Sequence, residues 1–186
     1  MESQALLVLV IAAIIILGGV ALWAYLTRQR TLRLKQRFGP EYERAVQTTR
    51  TPAEAEAMLQ GRANRVDRFK LHPLNREQAE AFADRWRGLQ AHFVDDPDHA
   101  VSEADLLVSE VMTARGYPPE DFDRRAADVS VDHPKVVANY RTARTLLERR
   151  QRGEAGTEEL RQAVINYRAL FDDLLETRAD GRRRAS

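Results

Sequence analysis

Residues 5–26 read ALLVLVIAAIIILGGVALWAYL, a run without a single charged side chain. An α-helix of this length extends roughly 33 Å, which is enough to cross a hydrocarbon core of about 30 Å. The run therefore predicts a transmembrane helix, preceded by a short tail of residues 1–4. It also decides the expected architecture, because every later element would follow a single anchor.

A cleaved secretory signal peptide is the alternative interpretation of this run. Such a signal combines a basic N-terminal segment, an apolar core of about 7–15 residues and small residues at the cleavage site. Here residues 1–4 contain no basic side chain, the core is longer, and Trp23 and Tyr25 flank the one candidate cleavage position near Ala24. These flanks favour a retained signal-anchor with interfacial aromatic residues.

Cationic residues follow the run directly, in a juxtamembrane segment of residues 27–50. Positive charge is retained on the cytoplasmic side of a membrane. We therefore expect a single-pass protein of the cell membrane with its N-terminus outside and its soluble domain in the cytoplasm. The lipid bilayer is the first expected partner, although topology alone would also explain the cations. The candidates for contact with lipid head groups are Arg28, Arg30, Arg33, Lys35 and Arg37.

Beyond this segment, apolar residues recur at helical spacing, which predicts an all-α fold. One helix is expected within residues 52–69, and others begin at Asn75, Asp96, Asp132 and Thr157. Prolines and glycines interrupt the pattern about every 20 residues, which favours an antiparallel helical bundle over residues 51–177 instead of a coiled coil. The positions expected to face inward are Leu59, Ala63, Val66 and Phe69; Ala79, Phe82, Trp86, Leu89 and Phe93; Val101, Ala104, Val108 and Val111; Val136, Tyr140, Ala143 and Leu147; and Leu160, Val164, Tyr167, Phe171 and Leu174.

Acidic residues and histidines cluster at two of the predicted helix starts, and their oxygen and imidazole groups could bind a divalent metal. No histidine pair has the i, i+4 spacing of an HExxH motif, and two of the aspartates are explained as helix caps. No metal, cofactor or catalytic residue is therefore assigned. An enzyme that uses these groups, with or without a metal, remains the alternative, and it requires Asp96, His99, Asp132 and His133 to converge on one pocket. The complete clusters are His92, Asp95, Asp96, Asp98 and His99, and Asp132 and His133.

Residues 115–134, RGYPPEDFDRRAADVSVDHP, are the part least typical of a helical bundle. They predict either a structural connector that pins two long helices or a rigid, charged recognition surface. Within them, Val129-Ser130-Val131 alternates, but three residues between Asp128 and Asp132 predict at most a short extended link. The candidates for the interaction surface are Tyr117, Pro118, Phe122, Arg124, Arg125, Asp132 and His133.

Together with QRFGPEYERAV (residues 36–46) and TEELRQAVINYRALFDDLLE (residues 157–176), this segment resembles an uncharacterised family of bacterial membrane-anchored proteins, often labelled hypothetical or secreted. The resemblance implies a bacterial source and a shared domain, and it transfers no catalytic residue. We therefore expect a membrane-anchored module for protein interaction or scaffolding, with a protein partner. The basic tail, residues 178–186, is expected to be disordered. Because no aromatic residue lies among its arginines, no nucleic-acid partner is expected.

Overall fold

A computed structural model describes the backbone of residues 2–180 and the side chains of residues 14–175. This part of the chain forms eight helices and no strand, which confirms the predicted all-α fold. The helices are α1 (Glu2–Phe38), α2 (Pro40–Thr48), α3 (Pro52–Val66), α4 (Arg76–His92), α5 (Pro97–Ala114), α6 (Phe122–Asp132), α7 (Val137–Gln151) and α8 (Thr157–Asp180).

The first helix, α1, joins the apolar run to the folded domain without a break. It continues through the basic residues, so the predicted boundary between residues 26 and 27 is not a break in the backbone. Near its end, Leu34 and Phe38 are buried. Within the described residues, no helix combines the length and the apolar character needed to cross a membrane. The side chains of residues 5–13, which begin the predicted span, lie outside that description.

Capping interactions define the helix starts that the sequence predicts. The Asn75 side chain accepts a hydrogen bond from the Gln78 N–H at 2.8 Å, and the Gln78 side chain accepts one from the Asn75 N–H at 3.0 Å. This reciprocal capping box satisfies two backbone donors that have no partner inside α4. Asp96 caps α5 by a single hydrogen bond, which its side chain accepts from the His99 N–H at 3.1 Å, and Pro97 is the first residue of the helix. The predicted starts of α4, α5 and α8 are thereby confirmed.

The region around Asp132 differs from the prediction. Asp132 is the last residue of α6 and does not begin a helix, whereas α7 begins at Val137. His133 precedes Pro134, and a residue before proline is disfavoured in helical conformation. The predicted extended link at residues 129–131 is also wrong, because these residues are helical.

The reason for this second error is the position of α6 between two hydrophobic clusters. Val129 is buried in one cluster and Val131 in the other. A helix with core on two sides carries apolar residues on two faces, so its sequence imitates the alternation of a strand.

The two clusters divide the interior of the described chain. The main core lies among α4 to α8 and includes stacked Trp86 and Phe171, whose ring centroids are 4.6 Å apart. The N-terminal core joins the end of α1 to α2, α3 and one face of α6. We call α1 to α3 the N-terminal unit, and the boundary between it and α4 to α8 the seam. The buried residues of the N-terminal core are Leu34, Phe38, Tyr42, Ala45, Ala55, Leu59, Ala63, Val66 and Val131.

The chain crosses from one core to the other over the end of α5. The His72 N–H donates to the Arg115 carbonyl oxygen at 3.0 Å. At the adjacent Gly116, φ is +96°, and an added Cβ would lie 2.6 Å from the carbonyl oxygen of Lys70. Both the backbone conformation and the close approach therefore require glycine at this position.

Candidate functional site

Several residues of the predicted interaction surface lie inside the protein. Tyr117 is 2% exposed, and its hydroxyl donates to Asp132 Oδ2 at 3.2 Å. His133 is also buried, and its Nδ1 is hydrogen-bonded to Asp173 on α8. The prediction that Tyr117 and His133 are displayed to a partner is therefore wrong. They tie the ends of α5, α6 and α8 together, as the alternative prediction of a structural connector requires.

The other candidates divide between packing and exposure. The half-buried Phe122 packs on the Tyr140 ring with centroids 4.8 Å apart, and Arg125 donates to Ser109 Oγ at 2.9 Å. Pro118 is half-buried. Arg124 and Asp132 are exposed, and of the seven candidates Arg124 alone lines a groove described below.

We call the first concave surface the seam groove, because it lies between α3 and α6. Its volume is about 510 Å³. Its rim carries charges of both signs, including the exposed Asp123 and Arg124. The groove is lined by Met58, Gly61, Arg62, Arg65, Asp121, Asp123, Arg124, Ala127 and Asp128.

A charged network forms the floor of the seam groove. The Nε of Arg65 donates to both carboxylate oxygens of the buried Asp128, at 3.1 and 3.3 Å, and its Nη2 donates to Glu120 at 2.7 Å. Burial raises the pKa of Asp128, since loss of hydration outweighs the attraction of Arg65. The hydrogen bond to Glu120 is the main reason that the pKa of Arg65 is raised. The network fixes both walls of the groove.

A second buried carboxylate crosses the seam nearby. Glu41 on α2 is 3% exposed and forms ion pairs with Arg62 on α3, at 3.8 Å, and with Arg141 on α7. Burial lowers the pKa of Arg62, an effect that the charge of Glu41 opposes. This triad attaches the N-terminal unit to the bundle through charges that are mostly removed from water.

The second concave surface, the basic groove, lies between α1 and α3 and has a volume of about 710 Å³. From α1 it is lined by Arg30, Arg33, Leu34 and Arg37, which share one helix face because their spacing is i, i+3, i+4 and i+7. From α3 it is lined by Ala53, Glu56, Ala57, Gln60 and Ala63.

The structure thus divides the five predicted head-group candidates between two faces of α1. Three of them line the basic groove. Arg28 and Lys35 lie on the opposite face, since each residue advances the helix by about 100°. Lys35 is engaged there by Glu43, at 3.7 Å, and by the Tyr42 ring, at 5.0 Å.

The Asp/His clusters that an enzyme would need do not converge. Asp98, at the start of α5, pairs with Arg150 near the end of α7. His133 lies just before the start of α7, so the two clusters are roughly 20 Å apart along this helix. Among the described side chains, no group of three or more His, Asp or Glu residues could hold a metal ion. Asp96 and Asp132 act as a helix cap and as an acceptor for Tyr117.

A polar cluster inside the main core is the feature that sequence reasoning missed. Arg144 donates to Asp105 at 3.1 Å, close to Tyr140 and Tyr167. Burial raises the pKa of Tyr140 to about 12, and it raises that of Tyr167 further. The helical spacing predicts that both tyrosines face inward, but it does not predict that the Arg144–Asp105 pair lies beside them. Neither groove is lined by these residues, so their arrangement is that of a core network.

Comparison with known proteins adds no relative. The chain matches no protein-family model, no curated protein and no solved structure. The function is therefore inferred from the residues and the geometry described above.

Proposed function

We propose that this protein is a single-pass, membrane-anchored helical module that holds a protein partner close to the bilayer. The observation that carries the proposal is the change of environment along the uninterrupted helix α1. The consecutive residues 14–17 are each more than 60% exposed, whereas Phe38 on the same helix is completely buried. Four successive residues point in all directions around a helix. A helix that is apolar on every face requires a nonpolar environment.

The continuity of α1 supports a rigid anchor over a flexible tether. The helix enters the N-terminal core directly, and Thr31 donates to Glu56 on α3 at 2.7 Å. Rotation of the domain about the anchor would break this contact and expose Leu34. A rigid anchor confines the domain to the membrane surface and raises its effective concentration toward a partner there.

The proposed orientation places the N-terminus outside and the domain in the cytoplasm, because the cations follow the apolar run. Membership in the family of bacterial membrane-anchored proteins remains a prediction.

The seam groove is the surface that we propose for the protein partner. Arg124 is exposed, and its side chain has no hydrogen bond or ion pair within the described part of the chain. Asp123 presents the opposite charge beside it. The hydrogen bond between Arg65 and Asp128 already fixes the floor and walls of the groove. A partner segment with complementary charges would therefore bind without an entropic cost for ordering the groove.

Membrane extraction of the full chain tests the anchor. Expressed in a bacterium, the chain should stay in the membrane pellet after alkaline carbonate treatment. Two lysines at Ile15→Lys and Leu17→Lys should release it, since a lysine at the centre of a span costs about 3 kcal/mol. Leu32→Lys is the matched control, because Leu32 is exposed on α1 beyond the run. Release of the unaltered chain, or equal release of the control, would contradict the anchor. Protease digestion of the domain in intact spheroplasts would contradict the orientation.

Site-specific photocrosslinking tests the partner surface. A photoreactive residue at position 61, which lines the groove and has open space around an added side chain, should give a discrete crosslinked product in membranes, and the same residue at the exposed position 168 on α8 should not. Charge reversal by Asp123→Arg should reduce the yield at position 61 at least about fivefold, given the ~1 kcal/mol of a lost charge pair. Identical products at both positions would eliminate the seam groove as the docking surface. A crosslinking yield that Asp123→Arg leaves unchanged would also eliminate it.

A further inference from the structure

We propose that the basic groove binds the head group of an anionic phospholipid. This inference rests on the proposed function, because a membrane anchor is what would place the groove beside lipid. It adds the chemical class of the ligand and the residues that select it.

The charge balance of the groove favours an anion. Its lining contains three arginines and one carboxylate, Glu56. The carboxylate is already engaged, since Glu56 Oε1 accepts hydrogen bonds from Thr31 at 2.7 Å and from Tyr42 at 3.0 Å. Two guanidinium groups retain uncompensated charge: Arg30 has no hydrogen bond or ion pair within the described residues, and Arg33 is bonded there to the neutral Gln29.

The position of the groove along α1 matches the depth of a phosphate layer. If the span ends at Leu26, Arg30 lies about 6 Å beyond it and Arg33 about 10 Å beyond it. The interfacial layer on one side of a bilayer is roughly 5–8 Å thick. Arg30 would therefore lie within the head-group layer, and Arg33 just past it.

The second wall of the groove lies at the same depth. Thr31 contacts Glu56, and farther from the run Arg37 pairs with Asp67 at 3.0 Å, so α1 and α3 run in the same direction. The start of α3 therefore lies beside Arg30. The contacts of Glu56 hold the two helices together there, which preorganises the groove for a ligand.

The apolar surface of the groove favours a lipid over free phosphate. Leu34 and Ala63 are buried at its base, and Ala53 and Ala57 form the wall next to the run. These residues offer no hydrogen-bonding side chain to a small hydrated ion, but they suit the glycerol and the first methylene groups of a phospholipid. Guanidinium groups above an apolar base are complementary to a phosphodiester attached to an acyl glycerol.

Titration with short-chain lipids tests the groove independently of the anchor. The full chain in neutral maltoside micelles should bind dihexanoyl phosphatidylglycerol about 10-fold or more tighter than dihexanoyl phosphatidylcholine, measured by isothermal titration calorimetry. The double variant Arg30→Gln/Arg33→Gln should lose roughly 25-fold in phosphatidylglycerol affinity, at about fivefold per cation. Arg30→Lys/Arg33→Lys should retain most of the preference for phosphatidylglycerol.

Arg28→Gln/Lys35→Gln is the matched control, because it removes the same charge from the opposite face of α1. It should leave the affinity for phosphatidylglycerol within about twofold. Equal binding of the two lipids would overturn the inference, and so would equal losses in the two Gln double variants, which would indicate a general field of positive charge. Competition by inorganic phosphate at the same concentration would show a site for free phosphate and would also overturn it.

The two proposals fail separately in these experiments. Release from membranes by carbonate contradicts the anchor, whatever the micelle titration shows. Loss of lipid selectivity in micelles contradicts the lipid site, even if every variant stays in the membrane pellet.

Discussion

The main core and the N-terminal core both bury apolar side chains between helices, but they differ in size and in the side chains that fill them. The main core contains five buried aromatic side chains among the helices of a bundle: Trp86, Tyr117, Tyr140, Tyr167 and Phe171. The N-terminal core has nine buried residues, of which three are alanines and one, Val131, belongs to α6. So small a core buries too little apolar surface to be stable alone. The N-terminal unit therefore depends on contacts across the seam.

The seam differs from both cores because, beside the apolar contact of Val131, it contains buried charged pairs. Glu41 and Asp128 are buried carboxylates, and each is bound by at least one arginine. A buried ion pair adds little net stability over a well-packed apolar contact, but removing one partner leaves an uncompensated charge. We expect the seam charges to fix how the unit sits on the bundle, while the apolar cores supply the stability.

Phe38→Ala should have the largest effect, because it removes a fully buried ring from the smaller core. We expect a loss of about 4 kcal/mol in the free energy of unfolding, measured for the full chain in neutral detergent. Amide hydrogen exchange should accelerate in α2 and α3 and stay slow in α5 and α8. Leu32→Ala, an exposed position on α1, should change stability by about 0.5 kcal/mol or less. Equal acceleration throughout the chain would mean that the two cores unfold as one unit.

Glu41→Ala should have the next largest effect, a loss of about 3 kcal/mol in the free energy of unfolding. Without Glu41, Arg62 and Arg141 would face each other without a buried counter-charge. Glu43→Ala removes the same group from the exposed face of α2, where its partner Lys35 lies 3.7 Å away. Its loss should be about 0.5 kcal/mol in the same urea titration. If the two variants lose equal stability, the seam charges do not couple the unit to the bundle.

Tyrosine hydroxyls in the two cores should also differ. Tyr42 donates to Glu56 at 3.0 Å, so Tyr42→Phe should cost about 1 kcal/mol. The Tyr140 hydroxyl lies beside Arg125 but makes no hydrogen bond of normal geometry among the described residues, so Tyr140→Phe should cost less than about 0.5 kcal/mol. Thermal unfolding of both variants beside the unaltered chain measures the difference. A larger loss for Tyr140→Phe would show that the core network binds this hydroxyl.

The smallest effects should appear as opposite pH dependences of the seam and the bundle surface. Burial raises the pKa of Asp128 above its usual 3.8, so the folded state holds a proton more tightly there. The unaltered chain should lose stability relative to Asp128→Asn as pH rises through the range just above 3.8. Glu110 has a lowered pKa, chiefly through its hydrogen bond to Arg85. The stability that the ionised Glu110 contributes to the fold, below about 1 kcal/mol, is therefore present above pH 4.5 and is lost as the pH falls.

Urea unfolding at pH values from about 3 to 6 measures both dependences, with Glu110→Gln as the second variant. The stability difference between the unaltered chain and each variant isolates one carboxyl group. Slopes of the same sign for Asp128 and Glu110 would refute the distinction between a carboxylate strained by burial and one stabilised by its partner.

Much of the fold follows from local signals in the sequence. Asn75 with Gln78, and Asp96 with Pro97, predict helix starts through hydrogen bonds that span three residues. The stripe from Leu160 to Leu174 predicts the buried face of α8, and all five of its predicted positions are buried. These signals succeed because each depends on neighbours along one helix.

The functional surfaces are less accessible to such reasoning. The predicted recognition segment contains Tyr117, whose burial depends on α5, α6 and the segment before α4. The five cations after the apolar run look equivalent in the sequence, yet α3 packs against the face that carries Arg30 and Arg33. Which side chains share a groove depends on a partner helix that local spacing does not specify.

The sequence by itself determined an all-α chain, the capped starts of α4, α5 and α8, and a basic segment behind an apolar run. These features arise from hydrogen bonds and periodicity within a few residues. Only the tertiary structure decided that α6 lies between two cores, that Glu41 and Asp128 are buried at the seam, and that three of the five head-group candidates line one groove. Such features arise because packing brings together side chains from distant parts of the chain, as Glu41 and Arg141 demonstrate.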